Sequence, residues 1–529
     1  MTSSEIRPTP QQQAFIDALL DPRAGHLCLR ARAGTGKTST ILMGVDAYAA
    51  AFPDHEVLVC AYNKAIADEV AAKLKARGHT DWRRVQASTA HSLGFGAVKF
   101  LFKPKVDDKK VRAIIDRIVA EANHPDAVRI YTQYAAQVAA LVRYAKQAGF
   151  GFFPDCAIGD VPAWHRLADH FDVNGLDDTS EADAVVEASQ HVYRLSLAET
   201  DVVDFDDMIL FPLVKNIRVK FTKDLVIVDE AQDLSRARQA LIRKFLGPAG
   251  RMAIVGDDRQ AIFGFTGADA AALESQVTQF RAKVLPLSVT WRCPKAVVAL
   301  AKTLVPDIEA APTAPDGQVL RVPLQRPADG IEEVLGAPAL VAWHSDAELG
   351  PTDAVLCRNT APLVQLAYQL IRAGKPCKVE GRAIGSGLKA LAQRWKIKTV
   401  DALLKRLDTY AERERQKALA KGNEAKAEEV GDQVATLKEI CAACTSQGKH
   451  DVADVLAFID DLFADGAEKV TVLATYHRAK GREWKRVFLL EHAERCPSKA
   501  ARQDWQRRQE ENLAYVAFTR AKNTLVFVS

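Results

Sequence analysis

The chain has 529 residues, enough for two to four domains with cores of their own. Hydrophobic residues make up 48% and charged residues 26%, a balance that excludes a disordered or fibrous chain. The net charge of +4 excludes a histone-like basic coat, so any nucleic-acid surface has to be local.

In chain order, the start MTSSEIRPTPQQQ is polar and reads as no signal peptide. From about residue 26 to 100 strands and helices alternate: HLCLRA, a Gly-rich turn, TSTILMGVDAYAA, EVLVCA and KAIADEVAAKLKA. That alternation predicts a parallel α/β core. From about 104 to 200 the pattern turns helical, as in KKVRAIIDRIVAEA and AAQVAALVRYAKQA. Alternation resumes with DLVIVDE and RMAIVGD and continues to about 300. A second α/β stretch holds DAVLCRN, APLVQLAYQLIRAG, KVTVLATY, RVFLLEH and TLVFVS. Between its parts, about 387 to 465 is helical, with charges that alternate in sign as on a solvated face. Two α/β cores, each interrupted by a helical insertion, are expected. Nine scattered cysteines suit a reducing cytosol. The Cys441/Cys444 pair reads as buried helix positions, because no second pair or histidine pair accompanies it. No stretch is long and apolar enough to span a membrane, and a cytoplasmic, nucleoid-associated location is expected.

Three stretches carry chemistry. ARAGTGKTS (Ala31 to Ser39) follows a strand and opens a helix, the context a phosphate-binding loop requires. Its backbone from Ala33 through Gly34, Thr35 and Gly36 can close on phosphate oxygens, with Ser39 following on the helix. Lys37 would reach the β and γ phosphates and the Thr38 hydroxyl would ligate Mg²⁺. Ala31 stands where the general pattern has its first glycine. DEAQD (Asp229 to Asp233) ends a strand; Asp229 suits the metal, and Glu230 suits orienting and deprotonating water. DFDDM (Asp204 to Met208) could be a carboxylate cluster, and a helix cap is the preferred reading. QAIFGFTGAD (260 to 269) places an amide and two aromatic rings on a loop that leaves a strand.

The series TPQQQA, CAYNKAIADEV, STAHSLGFG, DEAQD, VGDDRQAIFGFTGAD, LSVTWRCP, TYHRAKGREW and ENLAYVAFTRAK resembles, in order, the motifs of the UvrD, Rep and PcrA group of superfamily-one helicases. The wording leans toward the branch near the F-box DNA helicases. The resemblance implies two RecA-like domains flanking an ATP cleft. Motor domain 1 would comprise 1–103 and 201–282 around an accessory insertion at 104–200. Motor domain 2 would comprise 283–386 and 467–529 around a smaller insertion at 387–466. It further implies that Gln12 reads the adenine edge and that Trp291 stacks on adenine where the family has tyrosine. Arg292 and Arg520 would reach the γ-phosphate, Gln260 would sense it, and Glu483 would lie near the ribose and phosphates. Phe263 and Phe265 match base-stacking positions, and Tyr62, Asn63, Thr89, His91 and His477 match DNA-side positions. The family's usual aromatic before Asn63 lies one residue earlier, at Ala61, and its usual arginine is replaced by Thr266.

By resemblance the activity is an ATP- and Mg²⁺-dependent 3′ to 5′ translocase and helicase, acting as a monomer on single-stranded DNA and single/double-strand junctions. The alternative is an ATP-gated DNA-binding remodeller or a translocase that does not unwind. A stacking groove does not by itself separate DNA from RNA. The chain ends nine residues after Arg520, so no appended nuclease is expected.

Overall fold

The computed structural model describes residues 7–122, 125–171, 173, 179–264, 271–323, 349–373, 375–420, 424–463 and 470–529. The chain divides into two units after Ser288. Each is a RecA-like α/β domain carrying a helical insertion.

The first unit is built on six parallel strands. Their order across the sheet is Val85–Thr89, Val57–Ala61, Lys223–Val228, Leu246–Gly256, Leu27–Ala31 and Lys283–Leu287. The inner strands, as in VLVCA (57–61) and LVIV (225–228), read as unbroken apolar runs because both faces are covered, whereas the edge strands Val85–Thr89 and Lys283–Leu287 are partly exposed. Val57 and Val59 pack with Phe15, Val45 and Tyr48 on one face. Leu58 and Cys60 pack with Leu93, Ile209 and Leu241 on the other, as the two-residue period of a strand requires. All six carboxyl ends share one edge, so the segments that follow them meet there. Lys283–Leu287 pairs with Leu27–Ala31, and Leu287 is buried in the first core. The boundary expected at 283 therefore lies one strand later, because strand pairing and burial decide it.

The first insertion holds helices Lys110–Glu121, Pro125–Gln133, Ala135–Ala148, Val161–His170 and Thr179–Ala198, with Ile115, Val138, Trp164 and Tyr193 among its core. Short strands Lys105–Val106 and Val202–Val203 pair and bring its two ends side by side. DFDDM is where the chain re-enters the first core. Asp204 caps helix Phe205–Val214, its Oδ1 accepting the Asp207 N–H at 2.7 Å. Both carboxylates are also held by lysines of the insertion. Lys146 Nζ lies 2.6 Å from Asp204 Oδ2 and 2.7 Å from Asp207 Oδ1. Lys110 Nζ lies 2.7 Å from Asp207 Oδ2 and donates to the Ser196 and Glu199 carbonyls. Removing one member strands a buried charge. Lys146→Met is therefore expected to cost about 3–5 kcal/mol in a urea titration, and a loss below ~1 kcal/mol would show that the network contributes little.

The second unit repeats the plan. Its parallel order is Gln318–Val322, Ala521–Val528, Trp484–Leu490, Asp353–Cys357, Thr471–Thr475 and Cys377–Val379. Its insertion contains helices Val400–Ala420, Glu424–Ser446 and Val452–Leu462. Cys441 and Cys444 pack with Leu403 and Leu437 in the core of that unit. Burial pushes the Cys441 thiol up to about 12, which keeps it protonated. No helix among the described residues is long and apolar enough to cross a membrane.

Candidate nucleotide site and single-strand face

The loop after strand Leu27–Ala31 has Gly34 at φ 73° and Gly36 at φ 83°, a left-handed backbone that glycine adopts without steric cost. A Cβ added at Gly36 would stand 3.3 Å from Gln12 Nε2, so Gln12 already leans on the loop. Gln12 comes from helix Pro10–Leu20, where it completes a capping box with Thr9, and its amide donates to Thr40 Oγ1 at 3.0 Å. Thr35 Oγ1 donates to the Arg32 carbonyl at 2.8 Å and closes the turn. Helix Lys37–Ala51 begins at Gly36 with no side-chain cap, leaving its first N–H groups directed at the loop. Thr38 is half-buried and Ser39 exposed on that first turn.

Lys37 Nζ lies 2.6 Å from Glu230 Oε1. Burial alone would lower the Lys37 pKa, but the carboxylates of Glu230, Asp229 and Asp257 raise it. Glu230 has φ 51° and ψ 42°, a conformation that costs a non-glycine residue ~1–3 kcal/mol and gathers at functional sites. Its N–H donates to Asp229 Oδ1 at 2.9 Å. Gln232 Nε2 donates to Glu230 Oε2, and Gln232 Oε1 accepts the Asp257 N–H at 3.0 Å. Gln260 Nε2 donates to Asp257 Oδ2 at 2.6 Å. A hydrogen-bonded line thus runs Lys37, Glu230, Gln232, Asp257, Gln260. Arg32 donates to Asp257 Oδ1 and Asp258 Oδ1, each at 2.8 Å. Burial raises the Asp257 carboxyl in spite of Arg32 and Lys37. The glycine cradle, the lysine, the Thr38 hydroxyl and the Asp229 carboxylate fit a nucleoside triphosphate with Mg²⁺, whose ligands are oxygens.

On the same edge, the Tyr62 and Phe263 rings lie parallel within 8°, centroids 6.2 Å apart. The Arg238 guanidinium carbon is 5.9 Å from the Tyr62 ring centroid. Asn63 Oδ1 accepts the Ile66 N–H at 2.9 Å and Thr89 Oγ1 the Ser92 N–H at 3.1 Å. Both residues therefore cap the helices that follow their strands. His91 sits edge-on to Phe205, centroids 6.1 Å apart. Burial, then Arg238, lowers the His91 pKa to about 4, so its ring is neutral at pH 7. Phe265 and Thr266 lie outside the described residues.

In the second unit, Trp291 is 54% exposed. The neighbouring Arg292 points back into its own unit, Nε lying 2.5 Å from Glu483 Oε2 and Nη1 3.4 Å from the Thr519 carbonyl. Lys522 also pairs with Glu483. Burial by itself would raise the Glu483 carboxyl, but Lys522 and Arg292 hold it below the usual range. Arg520 is only 1% exposed. It donates to the Val516 carbonyl at 2.8 Å, the Arg482 carbonyl at 3.1 Å and Thr519 Oγ1 at 3.0 Å. His477 is lowered to about 3 by burial and then by Arg358 and Arg478, and is likewise neutral.

Residues 9–281, more than half of the chain, match the sequence model of the UvrD/REP helicase N-terminal domain. Residues 383–529 match that of the UvrD-like helicase C-terminal domain. The chain belongs to the UvrD/Rep helicase family. The ATP-dependent DNA helicase UvrD2 of Mycobacterium tuberculosis (strain ATCC 25618 / H37Rv) is 27% identical over 527 residues, covering 90% of this chain and 71% of that protein. The ATP-dependent DNA helicase srs2 of Schizosaccharomyces pombe is 24% identical over 279 residues, 49% of this chain and 30% of that protein. The ATP-dependent DNA helicase Rep of Escherichia coli (strain K12) is 29% identical over 133 residues, 24% of this chain and 20% of that protein.

In this UvrD/Rep chain the structure gathers Gln12, the phosphate loop, Asp229, Glu230 and Gln260 at one edge of the first sheet. It gathers Arg292, Glu483 and Arg520 around Thr519 in the second unit. Three participants were not singled out by sequence. Gln232 lies inside DEAQD, where its spacing carries no sign of a relay. Lys522 follows the last motif and looks like an ordinary surface lysine. Phe205 was absorbed into a capping segment, yet its ring is 54% exposed beside His91. An apolar residue between capping acids was the available signal.

Proposed function

We propose that this chain is an ATP-dependent DNA helicase that steps 3′ to 5′ along single-stranded DNA and opens duplex at single/double-strand junctions. One observation carries the coupling. The hydrogen-bonded line from Lys37 and Glu230 ends at Gln260, three residues before Phe263, whose ring is stacked with Tyr62. A change at the γ-phosphate has a packed route to the bases, made of groups in contact.

Lys37 binds the β and γ phosphates. Glu230, held by Gln232, orients the attacking water and accepts its proton. Arg292 and Arg520 exchange their present partners for the phosphoryl oxygens as charge develops there. Gln12 and Trp291 hold the base, and Glu483 keeps Arg292 in place until nucleotide arrives. Mg²⁺, held by Thr38 and Asp229, neutralises phosphate charge when bound. Tyr62, Phe205, Phe263 and Phe265 stack bases, at roughly 1–3 kcal/mol each. Asn63, Thr89, His91 and His477 line the strand's path as neutral hydrogen-bonding groups. The segments 104–200 and 387–466 serve as accessory domains. The working state is a cytoplasmic, nucleoid-associated monomer.

The test is the ATPase rate with and without single-stranded DNA, together with unwinding of 3′-tailed and 5′-tailed duplexes. Stimulation with unwinding of the 3′-tailed substrate is expected. Stimulation without unwinding of either selects a translocase, and no stimulation by DNA or RNA removes the motor reading. Gln260→Ala is expected to retain ATP binding within about threefold and to lose most of the DNA stimulation, a factor of ~10 or more for a cut in such a relay. Unchanged stimulation would show that the line does not transmit.

A further inference from the structure

We propose that the amino-terminal edge of the first sheet carries a second binding site for single-stranded nucleic acid, separate from the Tyr62–Phe263 face. Two segments meet there. Helix Ala90–Phe102 starts at the carboxyl edge and runs back along the sheet, so Phe100 emerges at the opposite edge. The segment 215–222 leads into the start of strand Lys223–Val228. Lys99 Nζ and Lys220 Nζ both lie over the Phe100 ring, 5.3 Å and 5.4 Å from its centroid, which joins the two segments into one surface. A strand of six residues spans ~20 Å, so this surface stands about that far from the phosphate loop.

Charge and aromatic exposure coincide on this surface. Residues 99–110 and 215–223 contain nine lysines and arginines and two aspartates, a local excess larger than the +4 of the whole chain. Lys110 and Lys223 are buried and paired, with Asp207 and Glu56, and Lys215 donates to the Leu197 carbonyl. Lys99, Lys103, Lys105, Arg218 and Lys220 are exposed and have no carboxylate partner among the described residues. Between them Phe100 is 68% exposed and Phe221 64% exposed. Unpaired cations attract phosphates at any sequence, and exposed rings offer faces to unstacked bases. A duplex hides its base faces, so rings of this kind select single strands. This accounts for how a chain of nearly balanced charge holds nucleic acid: its excess is concentrated on one edge.

The test uses the full chain and two double variants at exposed positions, K99E/K220E and F100S/F221S. Fluorescence anisotropy is measured across a salt series with a short oligothymidylate that fills only the Tyr62–Phe263 face and a long one. The wild type is expected to bind the long strand more tightly and with a steeper salt dependence. K99E/K220E should weaken long-strand binding by ~10-fold or more and reduce the salt slope by about 0.7 for each lost lysine contact. F100S/F221S should weaken it by ~10-fold or more through lost stacking. Short-strand binding, short-strand ATPase stimulation and melting midpoint should be unchanged in both. Wild-type affinity and slope for the long strand in both variants would overturn the proposal, as would an equal loss on the short strand. Loss of sedimentation with phosphatidylserine vesicles while long-strand binding is retained would reassign the surface to anionic membrane and overturn it too. Absence of ATPase stimulation in the wild type would count against the motor reading and leave these binding comparisons to decide the second site.

Discussion

Arg292→Ala is expected to lower the DNA-stimulated kcat by ~10³-fold or more, the contribution of an arginine that stabilises charge on a transferring phosphoryl group. Arg292 is well placed to be released for this work. Its bond to Glu483 is a half-exposed ion pair, of the kind that stabilises by ~1 kcal/mol or less, and Lys522 remains to hold Glu483 when Arg292 leaves. Arg520 differs, since its guanidinium is buried and spent on the Val516 and Arg482 carbonyls and the Thr519 hydroxyl. Its recruitment requires breaking those bonds, so Arg520→Ala should also lower the melting midpoint, whereas Arg292→Ala should leave it nearly unchanged. Arg292→Lys should not restore activity, because an ammonium cannot present two parallel donors to phosphate oxygens. Single-turnover hydrolysis at saturating ATP makes the measurement, and a kcat within tenfold of wild type would remove Arg292 from the reaction.

Glu230→Gln should cost ~10²–10⁴ in hydrolysis, the range for a positioned general base, while nucleotide binding persists. Glutamine keeps the shape of the side chain and its hydrogen bond to Gln232, and loses only the ability to take the proton. It also loses the charge that now faces Lys37 at 2.6 Å, which frees the ammonium for phosphate, so ATP affinity should be equal to or tighter than wild type. Titration with a fluorescent ATP analogue beside a phosphate-release assay separates the two effects. Parallel loss of binding and hydrolysis would mean that Glu230 holds the loop together instead of activating water.

Element types and the two-core plan were legible because they rest on local period: the parallel strands are short apolar runs, and the insertions carry helical spacing. The phosphate loop was legible for the same reason. Its glycines answer a backbone requirement at Gly34 and Gly36, and its lysine sits next to them in sequence. DFDDM was legible as a cap, since Asp204 and Asp207 bond within one turn. Its two lysine partners were not, for Lys110 and Lys146 come from helices far up the chain.

By itself the sequence determined the chemistry each segment can offer: a cradle for phosphates, an acid pair at a strand end, arginines and aromatics in a motif order that resembles one family. The tertiary structure decided which of these meet. Lys37 and Glu230 are 193 positions apart, and Arg292 and Glu483 are 191 apart. Lys37 and Glu230 meet because parallel strands deliver their carboxyl ends to one edge whatever the distance along the chain, whereas Glu483 reaches Arg292 from just before strand Trp484–Leu490. The same geometry stacks Tyr62 on Phe263, exposes Phe205 beside His91, and gives the strand at 283 to the first sheet. No local period encodes such pairings, since they follow from strand order, and strand order is set by which apolar faces bury one another.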